Sequence, residues 1–76
     1  MYAVFEIQTN DKGVAAFTPI EQKTDSAQAE SSFLMRKASA CVSDVYIHTV
    51  ICIDEHGNNC FGSPSYYEHI PEPVTE

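Results

Sequence analysis

The clearest structural signal in the chain is the stretch Val45-Tyr46-Ile47-His48-Thr49-Val50-Ile51-Cys52-Ile53-Asp54. Its odd positions form an almost unbroken β-branched series, and its even positions form a second, more mixed series. This period of two is typical of a β-strand. The next residues, Asp54-Glu55-His56-Gly57, are typical of a type I turn with glycine in the left-handed position. The stretch therefore predicts a strand that turns back on itself as a hairpin.

The same turn also fixes the pairing of this hairpin. If Asp54 pairs with Asn58 at the two ends of the turn, Cys52 pairs with Cys60 and Ile51 pairs with Phe61. The return strand begins near Asn58 and is interrupted by Gly62-Ser63-Pro64, because a proline cannot donate a ladder hydrogen bond. We expect it to resume at residues 65–67.

A matching hairpin opens the chain. Residues 2–9 alternate like a strand, and Asn10-Asp11-Lys12-Gly13 repeats the turn pattern, so we expect a second strand from residue 14 to about residue 20. The turn and the apolar pattern predict the same pairs: Asn10 with Val14, Ile7 with Phe17, and Phe5 with Pro19.

A helix is predicted between the two hairpins, at about residues 26–41. Asp25 is a good N-cap and Gln28 completes a capping box, while Arg36 and Lys37 lie near the negative end of the helix dipole. The expected inward stripe consists of Ala27, Glu30, Phe33 or Leu34, Ala38 and Cys41.

These elements run β-β-α-β-β and predict an α+β fold. The simplest arrangement is a four-stranded antiparallel sheet with one helix packed on one face. We assign residues 1–68 to this single domain and residues 69–76, which include Glu72 and Glu76, to an extended acidic C-terminal arm.

One sheet face should lie under the helix and the other should stay open. We expect the more apolar side to be covered: Phe5, Ile7, Phe17, Ile47, Ile51, Ile53 and Phe61. The predicted open face is about half apolar or aromatic: Tyr2, Val4, Glu6, Gln8, Ala16, Thr18, Ile20, Tyr46, His48, Val50, Cys52 and Cys60. Because a solvated face is normally polar, we expect this face to bind a second copy of the chain, with a foreign partner and an unoccupied surface as alternatives.

Composition narrows the function. The chain has 43% hydrophobic residues and a net charge of −7, from 11 acids against 4 Lys and Arg, and its last basic residue is Lys37. Neutralising phosphates requires clustered basic side chains, so we expect no direct binding to nucleic acid or to an anionic membrane. The first residues do not resemble a signal peptide, and we expect a cytoplasmic protein with reduced thiols.

Few residues indicate chemistry. Glu6 and His48 would form an acid–base couple if their strands pair, although a structural hydrogen bond is the commoner outcome. Cys52 and Cys60 face each other across a hairpin, which permits a disulfide or a metal site, but we expect two buried reduced thiols and no metal. No common catalytic or cofactor-binding motif is present, so we expect no enzymatic activity and no cofactor.

Several segments resemble a group of short proteins with no assigned activity, found in Firmicute genomes, their phages and other mobile elements. The similar segments are Glu6-Ile7-Gln8, Ala29-Glu30-Ser31, Val45-Tyr46-Ile47-His48-Thr49 and Tyr66-Tyr67-Glu68-His69. The resemblance covers most of the chain, and it implies an accessory role, such as one in phage–host interaction. It assigns no catalytic or binding residue.

Three functional hypotheses follow. The first is a non-enzymatic, homo-oligomeric binding and interaction module, expected as a dimer, for which the resemblance implies a role as a phage or mobile-element accessory protein. The second is an acidic inhibitor that mimics nucleic acid or sequesters a host factor, using Asp44, Asp54, Glu55, Glu68, Glu72 and Glu76. The third is a small-ligand or metal-binding protein that uses His48, Cys52 and Cys60.

Overall fold

A computed structural model describes residues 1–69 of the chain. It confirms an α+β fold in which one helix packs on an antiparallel sheet, with five strands rather than the expected four. The elements in chain order are β1 (Tyr2–Thr9), β2 (Ala15–Phe17), β3 (Glu21–Lys23), α1 (Ser26–Cys41), β4 (Ile47–Asp54) and β5 (Ser65–Glu68).

The two longest strands, β1 and β4, lie side by side at the centre of the sheet. They pair over their whole length, from Tyr2 opposite Asp54 to Thr9 opposite Ile47. The strand order is β2-β1-β4-β5, and β3 also pairs with β1. The two hairpins therefore meet along their first strands, and this brings Glu6 and His48 onto neighbouring strands.

β2 and β3 both pair with β1, on its side away from β4, and a bulge separates them. β2 pairs in the predicted register, with Ile7 opposite Phe17, but beyond the break Val4 pairs with Glu21, one residue out of that register. The expected pair of Phe5 with Pro19 is therefore wrong. At the break, Thr18 donates its N–H to the Glu6 carbonyl (3.0 Å), and its Oγ1 accepts the Glu6 N–H (2.8 Å).

The second hairpin follows the predicted pairing near its turn. The Asp54 N–H donates to the Asn58 carbonyl (3.0 Å) and the Cys60 N–H donates to the Cys52 carbonyl (2.9 Å). The chain then leaves the sheet at Phe61 and Gly62, which both have positive φ. This excursion prevents the expected pair of Ile51 with Phe61, and β5 resumes with Val50 opposite Ser65.

The helix has the predicted bounds and N-cap. Asp25 Oδ1 accepts the Ala27 N–H at 2.8 Å. The inward stripe differs from the prediction, however, because the buried helix residues are Ala29, Phe33 and Ala40, and Arg36 lies on the same stripe. Phe33, predicted to point inward as the alternative to Leu34, is buried, and the other members of the predicted stripe are exposed: Ala27, Glu30, Leu34, Ala38 and Cys41.

The assignment of the two sheet faces is wrong. The core under the helix is formed by Val4, Val50 and Cys52 together with the buried helix residues. The residues predicted to form an open binding face are thus mostly under the helix: Tyr2, Val4, Glu6, Gln8, His48, Val50, Cys52 and Cys60. The strand residues predicted to be covered lie on the other face: Phe5, Ile7, Phe17, Ile47, Ile51 and Ile53. Phe61, which was also predicted to be covered, does pack against the core.

Candidate interaction surface

The sheet face opposite the helix consists mainly of apolar and aromatic residues. Strand pairing places these residues on it: Ala3, Phe5, Ile7 and Thr9 from β1, Ile47, Thr49, Ile51 and Ile53 from β4, Ala15 and Phe17 from β2, Gln22 from β3, and Tyr66 and Glu68 from β5. Glu68 is the charged residue among them and lies at a corner. We call this set the outer face.

Aromatic and β-branched side chains form continuous rows across the outer face. One row runs from Phe17 through Ile7 and Thr49 to Tyr66, and the next pairs Phe5 with Ile51. Phe17 is 67% exposed and Tyr66 is 61% exposed. The residues between them are half-buried by their own neighbours. A contiguous apolar patch of this kind marks an interaction site more often than a plain solvated surface.

Two other residues of the predicted binding face have structural roles. Thr18 bridges the bulge in the edge strand, as described above. Tyr46 lies just before β4, where its carbonyl accepts the His69 N–H at 2.7 Å. The ring of His69 also hydrogen-bonds the Ala40 carbonyl at 2.9 Å. The first residue of the predicted acidic arm is thus attached to the domain, and residues 70–76 lie outside the described residues.

An ionic cluster lies between the helix and the covered face. Arg36 donates from Nη1 to Glu6, and from Nη2 to Glu21 Oε2 at 2.8 Å. Its Nε also donates to Glu21 Oε2, at 3.2 Å. A guanidinium pointing toward a sheet is tolerated only where carboxylates and hydrogen bonds satisfy it, and Glu6 provides this on the covered face. We attribute to this requirement the fact that the helix covers the face that carries Glu6.

His48 extends the cluster across β4. It is 4% exposed, and both of its ring nitrogens have partners: Nε2 contacts Glu6 and Nδ1 lies 2.8 Å from the Ser43 hydroxyl. The serine, imidazole and carboxylate form a line, as they do in hydrolases. Here, however, Arg36 holds the other oxygen of Glu6 and the imidazole is buried. Hydrogen bonds thus link Ser43, His48 and Glu6 to Arg36.

Glu21 anchors the exposed end of the cluster. Its carboxylate lies 2.9 Å from Lys23 Nζ and accepts the Ser32 hydroxyl at 2.9 Å. Hydrogen bonds from Arg36, Lys23 and Ser32 lower the pKa of Glu21 from 4.5 to about 2. The hydrogen bond to Glu21 in turn raises the pKa of Arg36. The Glu21 carboxylate and the Arg36 guanidinium therefore remain ionised near neutral pH.

A groove of about 580 Å³ runs over this cluster, between the helix and β3. It is lined by Glu21, Lys23, Gln28, Ser32, Met35 and Arg36, among others. Its two bases and its two acids, Glu21 and Glu6, already neutralise each other. The groove therefore has polar hydrogen-bonding walls but no free charge that would select a charged ligand.

The cysteines differ in their surroundings. Cys52 is fully buried, Cys60 is half-buried and Cys41 is exposed on the helix. Burial, followed by the proximity of Cys60, raises the pKa of the Cys52 thiol. Within residues 1–69, no group of three or more His, Cys, Asp and Glu residues is arranged to hold a metal ion. His48, proposed as a ligand together with the two thiols, is instead engaged by Glu6 and Ser43.

The wider comparisons give the chain no family. No protein-family model, curated protein or solved structure matches it. The resemblance to short proteins of Firmicutes and their phages stays a prediction. In the part of the chain that the structure describes, no helix has the length and apolar character needed to cross a bilayer.

The sequence contained a signal for the ionic cluster. One helical stripe contains Ala29, Phe33, Arg36 and Ala40. This spacing predicts that Arg36 faces the sheet together with the apolar residues of the stripe. The face that carries a carboxylate, Glu6, was therefore the better candidate for the covered one. Hydrophobicity alone favours the opposite face.

Proposed function

We propose that the chain is a small, non-enzymatic interaction module that forms a homodimer through its outer face. The observation that carries this proposal is the position of the helix. It covers the less apolar face and leaves the aromatic and β-branched rows around Thr49 uncovered. A second copy would bury those rows. The apolar area buried in this way would supplement the small core that a chain of this size can form by itself.

The dimensions of the outer face fit a pairing of two copies. The two central strands extend about 26 Å, at about 3.3 Å per residue, and the edge strands β2, β3 and β5 cover only part of that length. With about 4.8 Å between strands, one face has a flat area of about 400 Å². Two such faces bury about 800 Å² in total before side-chain corrugation is counted, which is the range of small, transient interfaces. Aligned packing of two sheets, as in a β-sandwich, is the expected geometry.

Charge also favours a second copy over a basic partner. Each chain has a net charge of −7, so two copies can associate only through a surface where their acidic residues do not face each other. On the outer face the charged residue is Glu68, at a corner, and the centre around Ile51 is uncharged. The face is thus complementary to itself through apolar contact and has no carboxylate array to attract a basic protein.

Light scattering after size exclusion tests the proposal with Ile51→Lys. The unchanged protein is expected to have twice the 8.4 kDa mass of one chain, and Ile51→Lys is expected to be a folded monomer, because a lysine at the centre of the interface loses its hydration without a partner. Met35→Lys is the matched control. Met35 is 70% exposed on the helix, far from the outer face, and this variant should stay dimeric.

Two results would overturn the proposal. A monomeric unchanged protein would leave the outer face to a foreign partner, and a dimeric Ile51→Lys variant would place the interface elsewhere. In the proposed dimer both helices and their grooves beside β3 face outward, where a further partner can reach them. An accessory role of the kind that the resemblance implies would use those outward surfaces.

A further inference from the structure

Cys52 and Cys60 bring two free thiols to neighbouring positions of the second hairpin, outside the ionic cluster. They lie directly opposite each other in the second hairpin, where the Cys60 N–H donates to the Cys52 carbonyl at 2.9 Å. Both also contact the core on the helix side, Cys52 as a member and Cys60 as a partly buried neighbour. The two side chains therefore point to the same side of the hairpin.

Their register is fixed by the turn on one side. Asp54 accepts the N–H groups of His56 (2.8 Å) and Asn58 (2.9 Å) on Oδ1, and its own N–H donates to the Asn58 carbonyl. Gly57, with φ of 81°, supplies the left-handed position of the turn. This network holds the pair of Ile53 with Asn59, which is the neighbour of the cysteine pair.

Ser63 fixes the pair on the other side. Its hydroxyl accepts the Cys52 N–H at 2.9 Å and its N–H donates to the Cys60 carbonyl at 3.0 Å. Ser63 is 9% exposed, so these contacts are shielded from water. With both ends held, Cys52 and Cys60 cannot slip out of register.

We propose that Cys52 and Cys60 are a redox-responsive pair that closes a disulfide across the second hairpin. Residues directly opposite each other in an antiparallel pair have Cα atoms about 4.5–5.5 Å apart, and disulfides span Cα separations of about 4.4–6.8 Å. Cys52 and Cys60 share one ladder hydrogen bond, because the Cys52 N–H and the Cys60 carbonyl bind Ser63 instead. Closing the disulfide therefore requires no change of register. The co-reactant is a low-molecular-weight disulfide, such as that of glutathione.

The reaction has two exchange steps. The half-buried Cys60 loses its proton to solvent, and its thiolate attacks one sulfur of the small disulfide, forming a mixed disulfide and releasing one small thiolate. Cys52 then loses its proton, and its thiolate attacks the Cys60 sulfur, releasing the second small thiolate. The two cysteines are oxidised by two electrons, and the small disulfide is reduced to two thiols.

A test begins with the Cys41→Ser variant, which removes the exposed thiol and keeps both cysteines of the pair. The reduced variant is incubated with oxidised glutathione and followed by intact mass, thiol titration and peptide mapping. We expect both thiols to disappear, the mass to fall by two hydrogens with no glutathione retained, and a reducing agent to reverse both changes. Oxidation should also raise the melting temperature, because the closed loop restricts the unfolded chain.

Two further variants identify the order of the steps. Cys41→Ser combined with Cys52→Ser should retain one glutathione on Cys60, and Cys41→Ser combined with Cys60→Ser should retain none, because Cys52 is buried. Circular dichroism checks that both are folded. The proposal is overturned if the Cys41→Ser protein keeps both thiols free, or if glutathione stays attached to Cys60 while Cys52 is present. Both of these readouts come from a variant whose core is unaltered.

Discussion

The two faces of the sheet differ in a way that hydrophobicity does not predict. The covered face carries Glu6 and His48 among its apolar residues, whereas the centre of the outer face is aromatic and β-branched. The helix nevertheless packs on the first. Its stripe contains Arg36 as well as Phe33, and a face without a carboxylate would leave that guanidinium without an anionic partner. We therefore infer that charge pairing with Arg36, together with a small buried core, favours this face as the covered one.

The largest difference between the faces should appear in two neighbouring substitutions on β4. Val50 is 0% exposed under the helix, so Val50→Lys buries an unpaired charge and should lower the free energy of unfolding by more than about 4 kcal/mol. Ile51 lies on the outer face, and Ile51→Lys should keep the fold. Circular dichroism and urea unfolding measure both. An equally stable Val50→Lys protein would contradict the assignment of the faces.

The ionic cluster offers the next test. Arg36→Met removes the partner shared by Glu6 and Glu21 and should cost about 2–4 kcal/mol of unfolding free energy, because it leaves the carboxylate of Glu6 largely buried beside His48 alone. Lys37→Met is the control, since it removes the same charge from the adjacent helix position. Urea unfolding at neutral pH compares the two variants. Equal losses would show that Arg36 acts only through the net charge of the helix.

The smallest effect concerns pH. The folded-state pKa of Glu21 is about 2, below its ordinary 4.5, so its contribution to stability is complete above about pH 5 and is lost as the pH falls toward 2. The carboxylate is partly exposed, so solvent screening reduces this contribution to about 1 kcal/mol.

Urea unfolding from pH 5 to pH 2 measures this dependence. The stability advantage of the unchanged protein over Glu21→Gln should shrink across the range, whereas Glu30→Gln, on the exposed side of the helix, should track the unchanged protein. A constant difference between the unchanged protein and Glu21→Gln would contradict the shifted pKa.

Local features of the fold followed from the sequence. The helix bounds, the Asp25 cap and the glycine positions of both turns depend on residues close together in the chain, and so do the pairs of Ile7 with Phe17 and of Cys52 with Cys60. The choice between the two faces did not follow from hydrophobicity, because it involves contacts of Arg36 with Glu6 and Glu21, which lie far from it in the sequence. The position of Glu21 beside that arginine depends in turn on the one-residue bulge.

The sequence pattern correctly grouped the apolar residues of the outer face on one side of the sheet, but the prediction that the helix covers that side was wrong. The alternation in β1 and β4 separates odd from even residues without saying which series faces the helix. The interruption of the last strand was also predicted from Gly62-Ser63-Pro64. Because of this interruption, Phe61 leaves the strand and contacts Tyr2, with ring centroids 5.9 Å apart. This contact joins residues far apart in the sequence and could not be predicted from the local pattern.

The bulge at Thr18 also affects how copies of the chain can associate. An unbroken edge would let strands of successive molecules add side by side without end, as in a fibril. Here Thr18 and the following proline break the edge beside β1, so a neighbouring molecule meets two short segments in different registers. Pairing through the outer face, by contrast, closes after two molecules when they are related by a two-fold axis. The irregular edge thus disfavours open-ended growth and leaves a finite assembly as the favoured product.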